Sequence, residues 1–421
     1  MKDDKNEPNK MKRNHTFLTG MYIAVNAIKN SYLIMDGPDC AYKKVELLEK
    51  NHDFFSNIFQ RNGKHKISAT VVDVNHVIDE RHENIIQNII DVASCEDAQS
   101  VFISSEPMVA LTGIDYDMLA GESQKKTNKE IISIPYQSLN KDWIDGYSYV
   151  LEKIAQKLEL SSDKREKNTV AIVGFMFDRN EGDNLGNIDE ITRLLNLLGL
   201  NVSSIWLSGS DFSSLKEIEK AEYIIKMPYA ANSANIISQK TGAKIIETEI
   251  PFGIEGTKRW LMEIANELNI IEKTNQVIDN ELKSIMPLFE WIVPTYFQDK
   301  KISFGGDPFL AKMIYNSFKD LDCRFKDFII YSTSDRLLDI SDNEVKFYYE
   351  LDDIDNIETV DYAIGCFNSK EFFLRIPDAN FVELGFPSHS THFFASEPYL
   401  GFKGFAMLLN RMINVLLSKD R

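Results

Sequence analysis

Short runs of aliphatic and β-branched residues alternate along this chain with longer stretches in which apolar residues return every three or four positions. The short runs predict strands at 31–36 (SYLIMD), 69–74 (ATVVDV), 100–105 (SVFISS) and 130–135 (EIISIP). Further runs fall at 169–174, 201–207, 222–227 and 243–248, and in the last third at 301–306, 327–333, 345–350, 361–365 and 380–384. They are nearly continuous in apolar residues, the pattern of parallel strands covered on both faces. Between them, "ENIIQNIIDVA" sets Ile85, Ile86, Ile89, Ile90 and Val92 at helical spacing. "IDEITRLLNLLGLNV" does the same with Ile188, Ile191, Leu194, Leu195 and Leu198, and stops near Gly199. Such alternation predicts an α/β fold of doubly wound parallel sheets.

Two breaks divide the pattern. "QKLELSSDKREKN" (156–168) is a polar, charged link, and "IIEKTNQVIDNELKS" (270–284) is helical and charged. Three Rossmann-like domains follow, at 20–155, 168–270 and 285–421, after a solvated, disordered tail over 1–19. The tail carries no apolar core of a signal peptide, and no apolar run reaches the ~18–20 residues of a membrane span. With four separated cysteines, Cys40, Cys95, Cys323 and Cys366, and no CxxC pair, neither a zinc knuckle nor a disulfide scaffold is supported. Reduced thiols in the cytoplasm are the expectation. The formal net charge of −17 argues against a phosphate-backbone partner, so no nucleic acid is expected.

In open α/β sheets ligands collect at the carboxyl ends of strands. No strand end here carries GxxxxGK[ST] or GxGxxG, so ATP hydrolysis by this chain is not expected and a dinucleotide site is unsupported. The glycines of "GFMFDRNEGDNLG" read as loop geometry rather than a phosphate cradle. One strand end stands out: "SYLIM" runs into "DGPDCAYKK", placing Cys40 at a strand-to-helix turn.

"MDGPDCAYKK" resembles the Gly-Pro turn that carries a cysteine in nitrogenase component 1 type proteins. That family includes the molybdenum-iron protein subunits, their cofactor scaffolds and the dark-operative protochlorophyllide reductase subunits. "ATVVDVNHVIDERHENIIQNIID", "SVFISSEPMVALTGIDYDMLAGE", "IPFGIEGTKRWLMEIA", "FGGDPFLA" and "VELGFPSHSTHFFASEPYLGFKGFAMLLNRMINVL" are similar to further family segments, in the same order. The resemblance implies three Rossmann-like domains per subunit. It also implies an iron–sulfur cluster, [4Fe–4S], shared between subunits, with electrons from a separate ATP-dependent iron–sulfur reductase.

The chain departs from the pattern where chemistry is carried. Of the three cysteines of cluster-binding members, one is matched by Cys40. The position in the Ser-Cys-Pro segment is Glu106, the first is nearest Leu18, and the histidine that opens the turn is Asp36. An iron–sulfur cluster normally takes four soft ligands. Two copies of Cys40 across a two-fold axis supply half, and Asp36, Asp39 or Glu106 are the carboxylates that could complete the shell; a cysteine-rich paralogous subunit is the other source. A small buried thiol in a tight turn, with Asp36 and Asp39 as turn or capping residues, is the plain structural alternative. Where the family holds its large metal cofactor, the matching places fall near Met227 and Gly385, neither a ligand of that kind. His389 and His392, a few residues on, are the candidate proton donors or ligands of a substrate cavity between the domains; packing on Phe393 and Phe394 is their structural alternative. His76 and His82 bracket a helix start and read as solvated. The implied function is a catalytic-component subunit of a nitrogenase-like reductase, as homodimer or with a paralogue. The other function is a non-catalytic scaffold carrying a metal cofactor precursor or tetrapyrrole.

Overall fold

The computed structural model describes residues 15–72, 81–137, 140–332, 340, 345–349 and 358–419. In the first sheet β1 (Ser31–Asp36) lies between β2 (Ile67–Ala69) and β3 (Ser100–Ser105), and β4 (Glu130–Ile134) forms the far edge. The second orders β6 (Asn201–Ile205), β5 (Thr169–Val173), β7 (Tyr223–Lys226) and β8 (Lys244–Glu247). The third orders β11 (Lys346–Tyr348), β10 (Arg324–Ile330), β9 (Lys301–Gly306), β12 (Tyr362–Gly365) and β13 (Asn380–Glu383). Every strand pair described is parallel, with β1 and β3 in register from Ser31 opposite Ser100 to Asp36 opposite Ser105. In each sheet the strand order reverses once: between β1 and β3, between β5 and β7, and between β9 and β12. Such reversals open a crevice at the carboxyl ends of the two strands, where neighbouring loops run apart.

Most strands begin and end close to where the apolar pattern places them; the strand expected over 327–333 runs from Arg324 to Ile330, and one further departure is instructive. The run expected over 69–74 stops at Ala69, because Val71 sits at φ 54° in the left-handed region, disfavoured for a β-branched residue. Positions 73–74 and His76 lie outside the described residues. The helix α1 (Phe17–Asn26) begins inside the expected tail, and Phe17 and Leu18 are buried. Its partner α6 (Trp143–Lys157) is held by a capping box at Asp142 and Asp145. The two helices touch backbone to backbone: a Cβ on Gly20 would lie 1.6 Å from the Trp143 carbonyl oxygen, and one on Gly146 would lie 1.9 Å from that of Phe17. The linking helix α10 (Ile271–Tyr296) runs well past the charged stretch, through Pro287 and Pro294, because Phe289 and Ile292 are buried on its inner side.

One apolar core runs through all three sheets, with Trp143, Trp206 and Trp260 fully buried in it. The domains therefore share a common interior, and their strand ends converge on one junction. No described helix is long and apolar enough to cross a membrane.

Candidate functional site

Cys40 opens α2 (Cys40–His52) just after β1, and Glu106 follows β3, so both stand at the switch point of the first sheet. Gly37 permits the approach: a Cβ there would lie 2.7 Å from Glu106 Cγ. Cys40 is partly exposed, and Glu106 is 3% exposed. Glu106 Oε2 accepts from Lys44 Nζ at 2.6 Å, while Oε1 is buried without a partner. The buried Tyr22 hydroxyl on α1 also has no partner. Burial, then the Glu106 carboxylate and Cys40, push that hydroxyl well above the usual phenol range. A thiol, an unpaired carboxylate oxygen and an unpaired hydroxyl are thus gathered at the ends of β1 and β3.

Asp36 is elsewhere engaged. Its carboxylate accepts from Arg81 Nη1 at 2.6 Å and Nη2 at 3.1 Å, from Thr70 Oγ1 at 2.6 Å and from the Tyr116 hydroxyl at 2.6 Å. This fully buried, saturated carboxylate fixes the turn and has no lone pair directed at a metal, which removes it from the expected ligands. Asp39 precedes α2 without capping it, and its exposed side chain lies 3.8 Å from Lys43. Leu18 is core. His82 starts α3 (His82–Ala93).

The two loop histidines are positioned differently from each other. His392 Nδ1 donates to Glu181 Oε1 at 2.8 Å, and its ring stacks on Phe54 with centroids 3.6 Å apart. His389 packs against Phe367 at 4.3 Å with a buried, unpartnered Nε2; burial lowers its pKa against the pull of Glu383. Neither lines the cavity found where the second and third sheets' switch points face α6. That cavity measures ≈ 30 Å³ and is walled by Trp143, Phe175, Tyr229, Phe386 and Tyr399, with Asp178 and Asp307 as its acids. Gly385 lines it as well, and Met227 is buried at the end of β7.

Sequence reading missed the residues that hold this junction. His52, at the far end of α2, is fully buried and touches both other domains. Its Nδ1 accepts from Ser388 N–H at 3.0 Å, which places its proton on Nε2, 3.0 Å from the Asp178 carbonyl oxygen. Arg179 clamps Asp183 through Nε and Nη2 and donates to the Thr391 carbonyl at 2.9 Å. Gly182 and Gly186 on α7 (Gly182–Leu197) let the 393–398 loop lie against the helix: added Cβ atoms would meet Ala395 O at 1.9 Å and Pro398 at 2.9 Å. The signal was in "FDRNEGDNLG", where buried loops demand close-packing glycines and paired charges, but its partners lie more than two hundred residues away. Burial pushes the thiols of Cys323 and Cys366 up to about 12, which leaves them inert.

Three stacked doubly wound domains with a single thiol at the first switch point define a distinct class of α/β protein. The family model for nitrogenase component 1 type oxidoreductases matches residues 16–417, and the chain belongs to that family. It is 26% identical over 128 residues to light-independent protochlorophyllide reductase subunit N of Stigeoclonium helveticum, covering 29% of this chain and 26% of that protein. To the protein of the same name from Leptolyngbya boryana it is 23% identical over 223 residues, covering 47% of this chain and 46% of that protein. These matches span from about a quarter to just under half the length of the relatives. The fold is that of nitrogenase Cp1 at pH 6.5, with a TM-score of 0.81 at 17% identity over 100% of this chain and 95% of that one.

Proposed function

We propose that the chain is a subunit of a nitrogenase-like reductase that contributes half of an iron–sulfur site shared with a second subunit, a second copy or a paralogue. The observation that carries this reading is the cluster at the first switch point, where the partly exposed Cys40 and the Glu106 carboxylate, with its unpaired Oε1, both act electrostatically on the unpaired Tyr22 hydroxyl. No group of three or more His, Cys, Asp or Glu that could hold a metal ion occurs among the described residues. One thiolate and one carboxylate fit half of a four-ligand shell and not the whole, so the site needs a partner's ligands.

A bound [4Fe–4S] cluster would accept and pass single electrons there. The chain's own residues do the positioning. Asp36 and Arg81 lock the turn before Cys40, Lys44 holds one oxygen of Glu106, and Tyr22 offers a hydroxyl to a sulfur or carboxylate. The lack of a phosphate-binding loop fits electron delivery by a separate ATP-dependent iron–sulfur protein. The test is iron, acid-labile sulfide and EPR on anaerobically purified protein beside Cys40→Ala. About two irons per chain, lost in the variant, supports a cluster shared by two copies. Iron only with a co-expressed partner supports a heteromeric site, and none in either case removes the reading.

The aromatic-walled ≈ 30 Å³ cavity favours a second reading, in which this chain is a non-catalytic scaffold beside a paralogue that holds the large substrate. In that case a tetrapyrrole or cofactor precursor binds the assembly and not the isolated chain, measurable by absorbance titration of each.

A further inference from the structure

Asp178, in the loop that follows β5, lines the ≈ 30 Å³ cavity at the three-domain junction together with Asp307. A cavity of this size admits a water molecule and little more. Asp178 is 7% exposed, and its carboxylate receives a bond from a neutral donor, Asn184 Nδ2, at Oδ1. The neighbouring guanidinium of Arg179 directs its hydrogen bonds to Asp183 and Thr391 instead. His52 lies 3.7 Å from Oδ2 but is neutral, its Nδ1 occupied by Ser388 N–H and its Nε2–H turned to the Asp178 carbonyl. A desolvated carboxylate with no cation in hydrogen-bond contact favours its protonated form.

We propose that Asp178 holds a proton for the interdomain cavity and exchanges it with a water or substrate atom that enters it, with neutral His52 as its positioning residue. In the transfer the carboxyl O–H bond breaks, its electron pair stays on Asp178, and the proton goes to a lone pair of the acceptor. Use of that proton in a reduction, with the electron coming from the iron–sulfur donor, rests on the function proposed above. The stored proton itself does not.

The groups that face Asp178 agree with this role. Burial and the Asp183 charge raise its carboxyl to about 7, against Arg179 and the Asn184 bond, which pull it down. From α2, Glu49 also faces it, with its own carboxyl pushed well up by burial and Asp53. Tyr147 on α6, Tyr229 after β7 and Tyr399 from the last loop bring hydroxyls that burial holds above the usual phenol range. The three tyrosines are therefore donors rather than acceptors at neutral pH, and Asp307, whose carboxylate accepts from Tyr229, is the other acid in the cavity lining.

The full-length protein labelled with carboxyl-¹³C aspartate would be titrated by NMR between about pH 5 and pH 9, with the carboxylic C=O stretch followed by infrared spectroscopy. One buried carboxyl that ionises near pH 7, absent in Asp178→Asn, is the expected result. The wild-type titration needs no variant, so poor folding of Asp178→Asn does not block the test. His52→Phe should move the midpoint by about half a pH unit or more, and His52→Gln, which keeps a donor for the Asp178 carbonyl, should restore most of it. A wild-type spectrum with no carboxyl ionising in that range, or a band that survives Asp178→Asn, overturns the proposal; an unmoved midpoint in His52→Phe removes the positioning role. Because neither readout involves iron, a metal-free protein would sink the cluster reading and leave this result standing.

Discussion

Both ends of α2 lie at sheet switch points, yet the two surroundings are opposites. At its start, Cys40, Tyr22 and Glu106 leave polar atoms unpaired beside a partly exposed thiol. At its end, His52 bonds to Asp178 and Ser388, and beside it Asp53, Asn26 and Asn180 bond between the first two domains while Arg179 and Glu181 reach the third at Thr391 and Phe393. Buried polar groups cost free energy unless satisfied. The end at His52 is the more densely bonded, although Glu49 Oε1 and Asn184 Oδ1 beside it have no partner, and its bonds hold the domains in one arrangement; the end at Cys40 makes no such interdomain bonds among the described residues.

The contrast is broken most forcefully at the junction. Arg179→Ala strands two carboxylates, Asp183 and Glu181, in the interior, and should cost about 3–5 kcal/mol in denaturant unfolding. A loss under about 1 kcal/mol would show that the lattice does not hold the domains together. Asp36→Asn keeps the shape but removes the charge facing Arg81, and should cost about 3 kcal/mol while lowering iron content only as far as the turn loosens.

A smaller effect is set by pH. His52 has a pKa lowered well below 6.5 by burial and by Arg179. The folded chain refuses a proton that the unfolded chain binds below about pH 6.5, so this contribution is present above that value and lost as pH falls. Asp178 has the opposite sign: its contribution is present below about pH 4 and lost as pH rises through about 7. His52→Gln should therefore flatten the acid limb of stability against pH by about 1 kcal/mol per unit, leaving the Asp178 slope exposed. An unchanged acid limb would place the junction's pH sensitivity elsewhere. The smallest effect on stability belongs to Cys40→Ala, within about 0.5 kcal/mol for a partly exposed side chain, although it should abolish any bound iron.

Strand positions were legible because a parallel strand buried on both faces writes its apolar run directly into the chain, as β1, β3 and β9 do. The positions of Cys40 and Glu106 at neighbouring strand ends were legible because each directly follows an apolar run that forms a strand. Asp36 was expected as a ligand, whereas four hydrogen bonds from Thr70, Arg81 and Tyr116 occupy its carboxylate, and nothing local distinguishes a carboxylate that anchors a turn from one that binds a metal. His392 and His389 were placed in a cleft by proximity in sequence, whereas Phe54, Glu181 and Phe367 draw their rings to packed positions outside the cavity lining.

By itself the sequence determined the three parallel sheets, their order of appearance and the lone thiol at the first strand-to-helix turn, all of which depend on local periodicity and turn chemistry. Tertiary structure alone decided which carboxylates are free. It brought Asp178 and Asp307 to one water-sized cavity, and it set His52 between Asp178 and Ser388. Hydrogen-bond saturation and desolvation are properties of neighbours in space, and here those neighbours are separated by up to 336 residues of chain.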